Sequence, residues 1–321
     1  MANIKDIARL AGVSVSTVSR VLNNHPYVGD EKRNKVEQVI EELKFHQNLN
    51  AIHLVKGKTL TVGVIIPYID HPYFQAMVGG VMKNAFMHNY SVLCCPTSYD
   101  KEEELKYLDM LKGKHLDGLI ICSRSNDWDT IIPYTEYGPI VACERFEKLP
   151  CAYTDHYDAF LTGINYLIEE GHQKIGYCTG RKYSLSSKMR YAAFKAALTK
   201  IDQPIQYSWM FTDCYTMNDG KRIINKLRDL KSIPTAILTN GDEVAAGMIS
   251  QAEMNGLKVP EELSIMGFDN NPMSEALGLT TLDSNIKEIG EQAFMLFYTD
   301  SNEQIKIPFK LVKRRTVSTL A

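Results

Sequence analysis

The spacing of apolar residues changes once along the chain, close to residue 59. Before that point, apolar residues recur at every third or fourth position in three short runs, which predicts three amphipathic helices. The first run stops at Gly12, a residue that readily adopts the left-handed backbone of a tight turn, and Ser14 can cap the helix that follows. A third helix is predicted at about residues 30–45. Two helices joined by a short turn, with a third to close their core, form a helix-turn-helix unit.

After residue 59, short apolar strands alternate with helical stretches. This alternation predicts right-handed crossovers and parallel sheets with helices on both faces. The predicted strands are Val62–Pro67, Ser91–Pro96, Leu116–Cys122, Ile140–Cys143, Lys174–Cys178, Thr235–Thr239 and Leu263–Phe268. The predicted helices are Tyr73–Asn89, Lys101–Lys114, Asp158–Glu170, Ser187–Ile201, Met217–Leu230 and Glu243–Asn255. About ten such units exceed one compact sheet, so we expect two similar α/β lobes with a ligand cleft at the carboxyl ends of their strands.

The distribution of charge separates the two parts of the chain further. Residues 1–59 hold nine basic and six acidic residues, a net charge of +3, whereas the remainder, with 27 basic and 32 acidic residues, carries −5. A basic head on an acidic body suits a protein that contacts phosphates with its head alone. No run approaches the ~18 apolar residues of a membrane helix, and the start lacks the basic-then-apolar pattern of a secretory signal. We therefore expect a cytoplasmic protein that does not enter a membrane.

The candidate chemistry of the sequence argues against a metal site or an enzyme. The seven cysteines form no CxxC pair and most lie in apolar runs, which is typical of reduced thiols. The histidines are scattered without metal-ligand spacing. There is no GxSxG elbow, no phosphate-binding GxxxxGK[ST] loop and no HExxH pair. We expect neither a metal nor a cofactor, and no catalytic residues.

Residues Ile4–Asn23, with the sequence IKDIARLAGVSVSTVSRVLN, resemble the signature head of the LacI/GalR family of transcriptional regulators. The body is similar to the same family at Val62–Pro67, at Val259–Asp269 and at Arg315–Ser318. The resemblance covers the whole chain and implies a two-lobe body like that of periplasmic binding proteins. The implied domains are a helix-turn-helix DNA-binding domain at 1–46, a hinge helix or linker at 47–59 and an effector-binding and dimerisation domain at 60–321. Within the body it implies one lobe at about 60–156 and 286–314 and another at about 157–285.

The resemblance implies that the second head helix enters the major groove of DNA. Arg20 can then offer two donors to a guanine, Ser16 one hydrogen bond and Val15 an apolar contact, while neighbouring hydroxyl groups fit phosphate contacts. Helix capping is the alternative role of the Ser and Thr residues, and Val15 could instead pack inside the head. The implied DNA-binding residues are Ser14, Val15, Ser16, Thr17, Ser19, Arg20, Asn23 and Leu54.

Leu54 enters this set through the family's hinge helix, which corresponds to residues 48–56. In relatives, paired hinge helices insert a leucine into the minor groove and kink the duplex, and Leu54 matches that leucine. Packing of Leu54 on the body is the alternative. The segment departs from the family pattern at Gln47, Asn50 and Ile52, and Gly29 stands where a Ser or Thr commonly caps the third helix.

The resemblance also implies an effector site in the cleft of the body. Asp155, Arg190 and Asp269 match family positions that contact the effector. There the carboxylates accept hydrogen bonds and the guanidinium donates two parallel hydrogen bonds. The alternative for Arg190 is an exposed ion pair, and the alternative for Phe74 is a core aromatic. Many relatives read Asn-Asp where this chain reads Asn240-Gly241-Asp242, which leaves open the residue that takes the asparagine's role. The implied effector-binding residues are Tyr73, Phe74, Ser123, Arg145, Asp155, Arg190, Asn240, Asp242 and Asp269.

The resemblance implies a repressor that binds a pseudo-palindromic operator as a homodimer and responds to a carbohydrate in the cleft. Two alternatives stay open: a sugar-binding protein of the periplasmic type, against which the basic head and the missing signal argue, and an enzyme on this fold, such as a sugar kinase or hydrolase. A protein co-regulator is a further candidate partner. The identity of the effector, and whether it releases or promotes DNA binding, are open on sequence alone.

Overall fold

The computed structural model describes residues 3–23, 25–45 and 57–320. Two compact units divide the chain, Met1–Thr59 and Leu60–Ala321. We call them the head and the body. Within the described ranges, every helix is too short or too polar to span a lipid bilayer.

The head contains the three predicted helices. They are α1 (Ile4–Ala11), α2 (Val15–Leu22) and α3 (Asp30–Glu42). Asn3 caps α1 in a capping box with Asp6, and the helix ends at Gly12 with φ of 65°. The three helices bury a small common core in which Ile7, Val18 and Val36 are inaccessible to solvent.

The body is built on two six-stranded sheets, as the alternation of strands and helices predicts. The first has the order β11-β5-β4-β3-β1-β2, with all pairs parallel. Its strands are β1 (Thr61–Ile66), β2 (Ser91–Pro96), β3 (Gly118–Ile121), β4 (Ile140–Ala142), β5 (Cys151–Thr154) and β11 (Gln304–Ile307). Helices α4 (Pro72–Met87), α5 (Lys101–Lys112), α6 (Trp128–Ile131) and α12 (Ile286–Tyr298) accompany this sheet. We call this part lobe 1.

The second sheet has the order β12-β10-β9-β8-β6-β7. Its strands are β6 (Ile175–Cys178), β7 (Met210–Phe211), β8 (Ala236–Leu238), β9 (Ser264–Phe268), β10 (Thr280–Asp283) and β12 (Lys310–Val312). Helices α7 (His156–Glu169), α8 (Leu185–Lys200), α9 (Met217–Arg228), α10 (Asp242–Met254) and α11 (Pro272–Leu277) accompany it. We call this part lobe 2. Both sheets bury apolar clusters on their two faces, which explains the near-continuous apolar runs of the central strands.

The structure adds several elements to the predicted ones. The short strands β5, β7, β10, β11 and β12 and the helices α6, α11 and α12 were not predicted. Strand β12 pairs antiparallel with β10, so Lys310–Val312 belongs to lobe 2. The expectation that lobe 1 holds residues 286–314 is therefore wrong at its end, because the chain returns to the second sheet after β11.

Three short connectors join the two lobes. They follow β5, β10 and β11, at residues 155, 284–285 and 308–309. Hydrogen bonds tie neighbouring connectors together: Thr154 Oγ1 donates to the Ser284 carbonyl at 2.9 Å, and Asn285 Nδ2 donates to the Pro308 carbonyl at 2.7 Å. The connectors therefore lie side by side as one bonded strip.

In lobe 1, helices α4 and α12 cross with their backbones in direct contact. Each contributes a glycine at the crossing. A Cβ atom on Gly80 would lie 2.0 Å from the carbonyl oxygen of Lys287, and one on Gly290 would lie 2.0 Å from that of Met77. The crossing thus has no room for any side chain at these two positions.

Lobe 2 repeats this arrangement in its own helix pair. Helices α9 and α10 cross at Gly220 and Gly247, where a Cβ atom would lie 2.1 Å from the Val244 carbonyl oxygen and 1.9 Å from that of Met217, respectively. Each lobe is therefore held on one side by a close glycine crossing, which fixes the loops that its strands direct toward the other lobe.

Candidate functional site

Helix α2 of the head presents one buried and one exposed face. Val18 and Val21 point into the core, whereas Ser14, Ser16, Ser19 and Arg20 are exposed. Val15 is 46% exposed, so it does not pack inside the head. Thr17 is half-buried, and Asn23 follows the helix on the surface. Within the described ranges, Arg20 pairs with no carboxylate, which leaves its guanidinium free to bind other groups.

The hydroxyl groups at the start of α2 are linked to each other. Ser14 Oγ accepts from the Thr17 backbone N–H at 3.1 Å and lies 2.8 Å from Ser16 Oγ and 2.9 Å from Thr17 Oγ1. Ser14 therefore fulfils the capping alternative while remaining on the surface. At the other end, Asn23 Nδ2 donates to the Ser19 carbonyl at 2.8 Å. Leu54, the remaining predicted DNA contact, lies outside the described residues, as do Gln47, Asn50 and Ile52.

In the body, a cavity of about 160 Å³ lies between the lobes where the strands of both sheets end. All nine residues that the resemblance assigns to the effector line this cavity. They are Tyr73, Phe74, Ser123, Arg145, Asp155, Arg190, Asn240, Asp242 and Asp269. Their local contacts divide them into groups that face the cavity with unused hydrogen-bonding capacity and groups that hold others in place.

Arg190 is buried in the wall of the cavity. Only 5% of it is exposed, which excludes the alternative of a solvated surface ion pair. Its Nη1 donates to Asn240 Oδ1 at 2.7 Å and to the Asn240 carbonyl at 3.1 Å, and the guanidinium carbon lies 4.2 Å from the centroid of the Phe268 ring. Its Nε is buried without a hydrogen-bond partner among the described residues. Burial lowers the pKa of Arg190, because nothing around it fully replaces water.

His156 completes the surroundings of this arginine. Its Nδ1 lies 3.4 Å from Arg190 Nη2. Burial, and then the neighbouring charge of Arg190, lower the pKa of His156 to about 3, so the imidazole is neutral at physiological pH. A neutral Nδ1 can accept from the guanidinium, which sets the ring tautomer with the proton on Nε2. Arg190 therefore keeps its charge in a site where the adjacent histidine adds none.

Asp269 faces the same cavity from the end of β9. Its backbone has φ of 104°, a conformation that L-residues rarely adopt. The carboxylate accepts one long hydrogen bond, from Ser284 Oγ at 3.4 Å, and has no cation within 4.0 Å among the described residues. Burial raises the pKa of Asp269 well above its usual value, Asp242 adds to the rise, and Arg190 opposes it. A ligand hydroxyl or amino group would satisfy this carboxyl group.

Asn240 takes a positioning role. Its Oδ1 accepts from Arg190 and from the Gly180 backbone N–H at 2.9 Å, and its Nδ2 donates to the Cys214 carbonyl at 2.8 Å. Through these bonds Asn240 orients Arg190 and joins the loops after β6 and β7. The next residue, Gly241, lets Asp269 approach, because a Cβ atom there would lie 3.3 Å from Asp269 Oδ2.

Asp242 is also a positioning residue. It is 1% exposed, its Oδ1 accepts from Thr281 Oγ1 at 2.6 Å, and its Oδ2 accepts from the Asn271 backbone N–H at 2.7 Å. These bonds fix the loop that carries Asp269. Burial raises the pKa of Asp242 from 3.8 to about 7.

The remaining predicted residues have mixed roles. Asp155 caps α7, accepting from the backbone N–H groups of Tyr157 and Asp158 at 3.0 and 3.2 Å, and lies 3.3 Å from Lys306 Nζ. Phe74 is 8% exposed and belongs to the core cluster, so it is both a core aromatic and part of the cavity wall. Its ring centroid lies 5.0 Å from that of Tyr73, in an edge-to-face contact.

Ser123 and Arg145 also line the cavity. Ser123 Oγ lies 3.2 Å from Tyr99 Oη, and Arg145 is exposed. Several other residues with ionisable or aromatic groups line the cavity and were not among the predicted effector contacts. They include His71, Tyr99, Arg181, Tyr215 and Glu243. Tyr99 and Arg181 follow the ends of β2 and β6, so the rule that ligands bind beyond strand ends could have found them.

The stability of the body is expected to depend on pH through Asp242. Between about pH 4 and about pH 7 the folded chain holds a proton on this group that the unfolded chain has released, so the free energy of unfolding decreases as the pH rises through this range. We expect Asp242→Asn to remove this contribution. Urea unfolding at about pH 5 and about pH 8 measures it, with the exposed Asp229→Asn as a control that keeps the wild-type slope. A slope that Asp242→Asn leaves unchanged would contradict the assignment.

Two family models match the chain. "Bacterial regulatory proteins, lacI family" matches residues 3–48, and "Periplasmic binding proteins and sugar binding domain of LacI family" matches residues 59–315. The chain is 45% identical to Catabolite control protein B of Bacillus subtilis over 318 residues, covering 98% of this chain and 100% of that protein. It is 38% identical to the NTD biosynthesis operon regulator NtdR of the same organism over 328 residues, covering 98% and 100%.

Among solved structures, the chain is similar to the lac repressor dimer bound to operator and the anti-inducer ONPF. The TM-score is 0.86 at 26% identity, covering 100% of this chain and 99% of that one. The relatives are transcriptional regulators, which rules out the enzyme alternative for this chain. The chain therefore belongs to the LacI family and is a transcriptional regulator that binds DNA through its helix-turn-helix head and senses an effector through its periplasmic-binding-protein-like body.

Proposed function

We propose that the chain is a repressor that binds a pseudo-palindromic operator as a homodimer and responds to a carbohydrate in the cavity of the body. The observation that carries the ligand assignment is the pair of Arg190, which is buried, and Asp269, which is half-buried, because both face one cavity without forming an ion pair with each other. Polar groups that lack hydrogen-bond or ion-pair partners lower the stability of the folded protein. Their presence at this cavity therefore supports a ligand that supplies the missing partners.

The chemistry of the cavity supports a polyhydroxyl ligand. A hydroxyl group both donates and accepts, so neighbouring hydroxyls on one ring can accept from the Arg190 guanidinium and donate to the Asp269 carboxylate. Phe74 and Tyr73 add aromatic surface beside them, which suits the apolar face of a sugar ring. The family description of residues 59–315 as a sugar-binding domain agrees with this proposal.

For the head, the proposal assigns α2 to the major groove. Its exposed face carries Arg20, Ser16 and Val15 as base-reading residues, with Ser14, Thr17, Ser19 and Asn23 at phosphates. Residues 47–59 are proposed as the hinge segment, with Leu54 as the minor-groove wedge. A homodimer would place two heads on two operator half-sites, and the related lac repressor is a dimer on its operator. Action on DNA implies a cytoplasmic protein.

Arg20→Ala is expected to lower the preference for the operator over unrelated DNA by about 1–3 kcal/mol, because the two hydrogen bonds from the guanidinium to a base are lost. Non-specific, salt-dependent binding should largely survive, because other basic residues supply it. Fluorescence anisotropy with a DNA sequence selected from a random pool, against a scrambled duplex, measures both affinities.

Ser19→Ala is the matched control for Arg20→Ala. As a phosphate contact, Ser19 should contribute about equally to both duplexes, so its replacement should leave the ratio of affinities unchanged. If Arg20→Ala also leaves the ratio unchanged, Arg20 does not read bases and the assignment of α2 is wrong.

A further inference from the structure

One side of the cavity is formed by a side chain that reaches from lobe 2 to lobe 1. Arg181 follows β6 in lobe 2. Its guanidinium carbon lies 3.9 Å from the centroid of the Tyr99 ring in lobe 1, and its Nη2 donates to the Arg124 carbonyl at 3.1 Å. Both contacts cross between the lobes. Arg181 and Tyr99 also line the cavity, so the bridge that they form is part of its wall.

The lobe 1 side of this bridge is itself held in place. Arg124 Nε donates to Glu144 Oε1 at 2.7 Å, and the Arg124 guanidinium carbon lies 5.2 Å from the centroid of the Trp128 ring. Tyr99 Oη lies 3.2 Å from Ser123 Oγ. The groups that receive Arg181 are therefore fixed, and the contact restricts the separation of the lobes at this edge.

Further contacts between the lobes extend the wall. The Tyr68 ring of lobe 1 lies 6.5 Å from the Tyr215 ring of lobe 2 and 5.6 Å from the Tyr99 ring. His71 Nε2 of lobe 1 lies 3.8 Å from Glu243 Oε2 of lobe 2. Aromatic and charged side chains of both lobes thus meet near this edge of the cavity, and Arg181 adds a direct hydrogen bond between the lobes.

The cavity behind this wall is small. Its volume is about 160 Å³, close to the ~150 Å³ of a protein cavity that holds one benzene ring and well below the roughly 300–1,000 Å³ of pockets for drug-sized ligands. We propose that Arg181 is a specificity-determining residue: by bridging the lobes against Tyr99 and Arg124, it limits the ligand of the cavity to a single ring. This inference rests on the proposed function for the site's ligand, and within a carbohydrate site it selects monosaccharides over disaccharides.

The contacts of Arg181 with lobe 1 leave its guanidinium little freedom. Its Nε is buried and has no hydrogen-bond partner among the described residues. The size limit therefore depends on the contacts of the guanidinium with Tyr99 and Arg124, and removing the guanidinium changes the wall without removing Arg190 or Asp269.

A cysteine inside the cavity allows the wall to be tested without knowledge of the ligand. Cys143 lines the cavity and is 7% exposed. We would treat the full chain with methyl methanethiosulfonate, a small reagent, and with fluorescein-5-maleimide, a bulky one, and follow each thiol by peptide mass spectrometry. Arg181→Ala is expected to raise the maleimide rate at Cys143 by about tenfold, because one hydrogen bond and one cation–π contact are lost. The rate with the small reagent should stay unchanged.

Two controls make the labelling result specific. Lys182→Ala removes the neighbouring exposed cation, which does not line the cavity, and should label like wild type. Cys95 is fully buried away from the cavity and reports general loosening of lobe 1. The size limit is overturned if Arg181→Ala leaves the maleimide rate at Cys143 unchanged, or if it raises the rate at Cys95 equally.

Thermal unfolding with matched sugars tests the ligand itself. Wild type should be stabilised by one of the monosaccharides glucose and galactose but not by maltose or lactose, whereas Arg181→Ala should also respond to the disaccharide that contains the bound ring. A disaccharide that stabilises wild type as strongly as its monosaccharide overturns the size limit. If no sugar stabilises wild type in this set or a wider one, the carbohydrate proposal fails, and the labelling experiment still decides whether Arg181 limits access.

Discussion

Gly80→Ala is expected to lower the free energy of unfolding of the body by about 3 kcal/mol, the upper part of the range for overpacked sites. The new Cβ atom would lie 2.0 Å from the carbonyl oxygen of Lys287, a backbone atom that no rotamer change can move away. Helices α4 and α12 must therefore separate along a contact that anchors lobe 1. A fall of roughly 10 °C in the unfolding temperature, measured by circular dichroism, is the corresponding result.

The neighbouring residue Gly79 supplies the control. It lies on the same helix, is exposed, and a Cβ atom there meets no atom within 4 Å. Gly79→Ala should therefore stabilise the body by about 0.5–1 kcal/mol, because alanine loses less backbone entropy in a helix than glycine. Changes of opposite sign in the free energy of unfolding at these adjacent positions would distinguish the steric effect at the helix crossing from the effect of helix propensity. If both substitutions stabilise the chain, the backbones of α4 and α12 do not approach each other closely at Gly80.

Arg190→Met is expected to weaken ligand binding by about 3 kcal/mol, more than a hundredfold, because hydrogen bonds from a charged donor to the ligand are lost. The measurement is thermal shift against a panel of sugars, sugar phosphates, nucleosides and purines, in which a ligand at about 100 times its Kd adds about 2.7 kcal/mol to wild type. Two opposing effects keep the expected change in stability of the unliganded variant small. Arg190→Met loses the hydrogen bonds to Asn240, but it also removes the cost of burying a charge that has no carboxylate within 4.0 Å among the described residues.

Arg190→Lys is the companion variant. It keeps the charge but loses the planar fork, so it should retain only a small part of the wild-type shift. If Arg190→Met keeps the full shift with the ligand found for wild type, Arg190 is not the donor and the proposed site is wrong. A panel without any hit for wild type would direct the search toward a protein co-regulator.

The sequence predicts best those features that depend on local spacing. The three head helices follow from apolar periodicity and from caps within a few residues, such as Asn3 and Gly12, so their positions could be predicted closely. The short strands β5, β7, β10, β11 and β12 could not, because two to four residues carry too little pattern and their pairing depends on distant partners.

The candidate site shows the same limit. A match to family positions brings nine residues to one cavity, but it does not reveal what each side chain touches. Asn240 positions Arg190 through partners that lie 26 to 60 residues away in the sequence. The contact of Arg181 with Tyr99 likewise depends on how two lobes meet, and no local pattern contains that information.

The bonded strip of three connectors determines how the body can move. A single connector would let the lobes swivel, tilt and twist independently. Three neighbouring connectors joined by the Thr154–Ser284 and Asn285–Pro308 hydrogen bonds restrict most of these motions. The motion that they restrict least is a hinge rotation of one lobe relative to the other about the strip. The state of the ligand-binding part then reduces to one angle. A ligand that contacts both lobes can act only by changing the distribution of that angle.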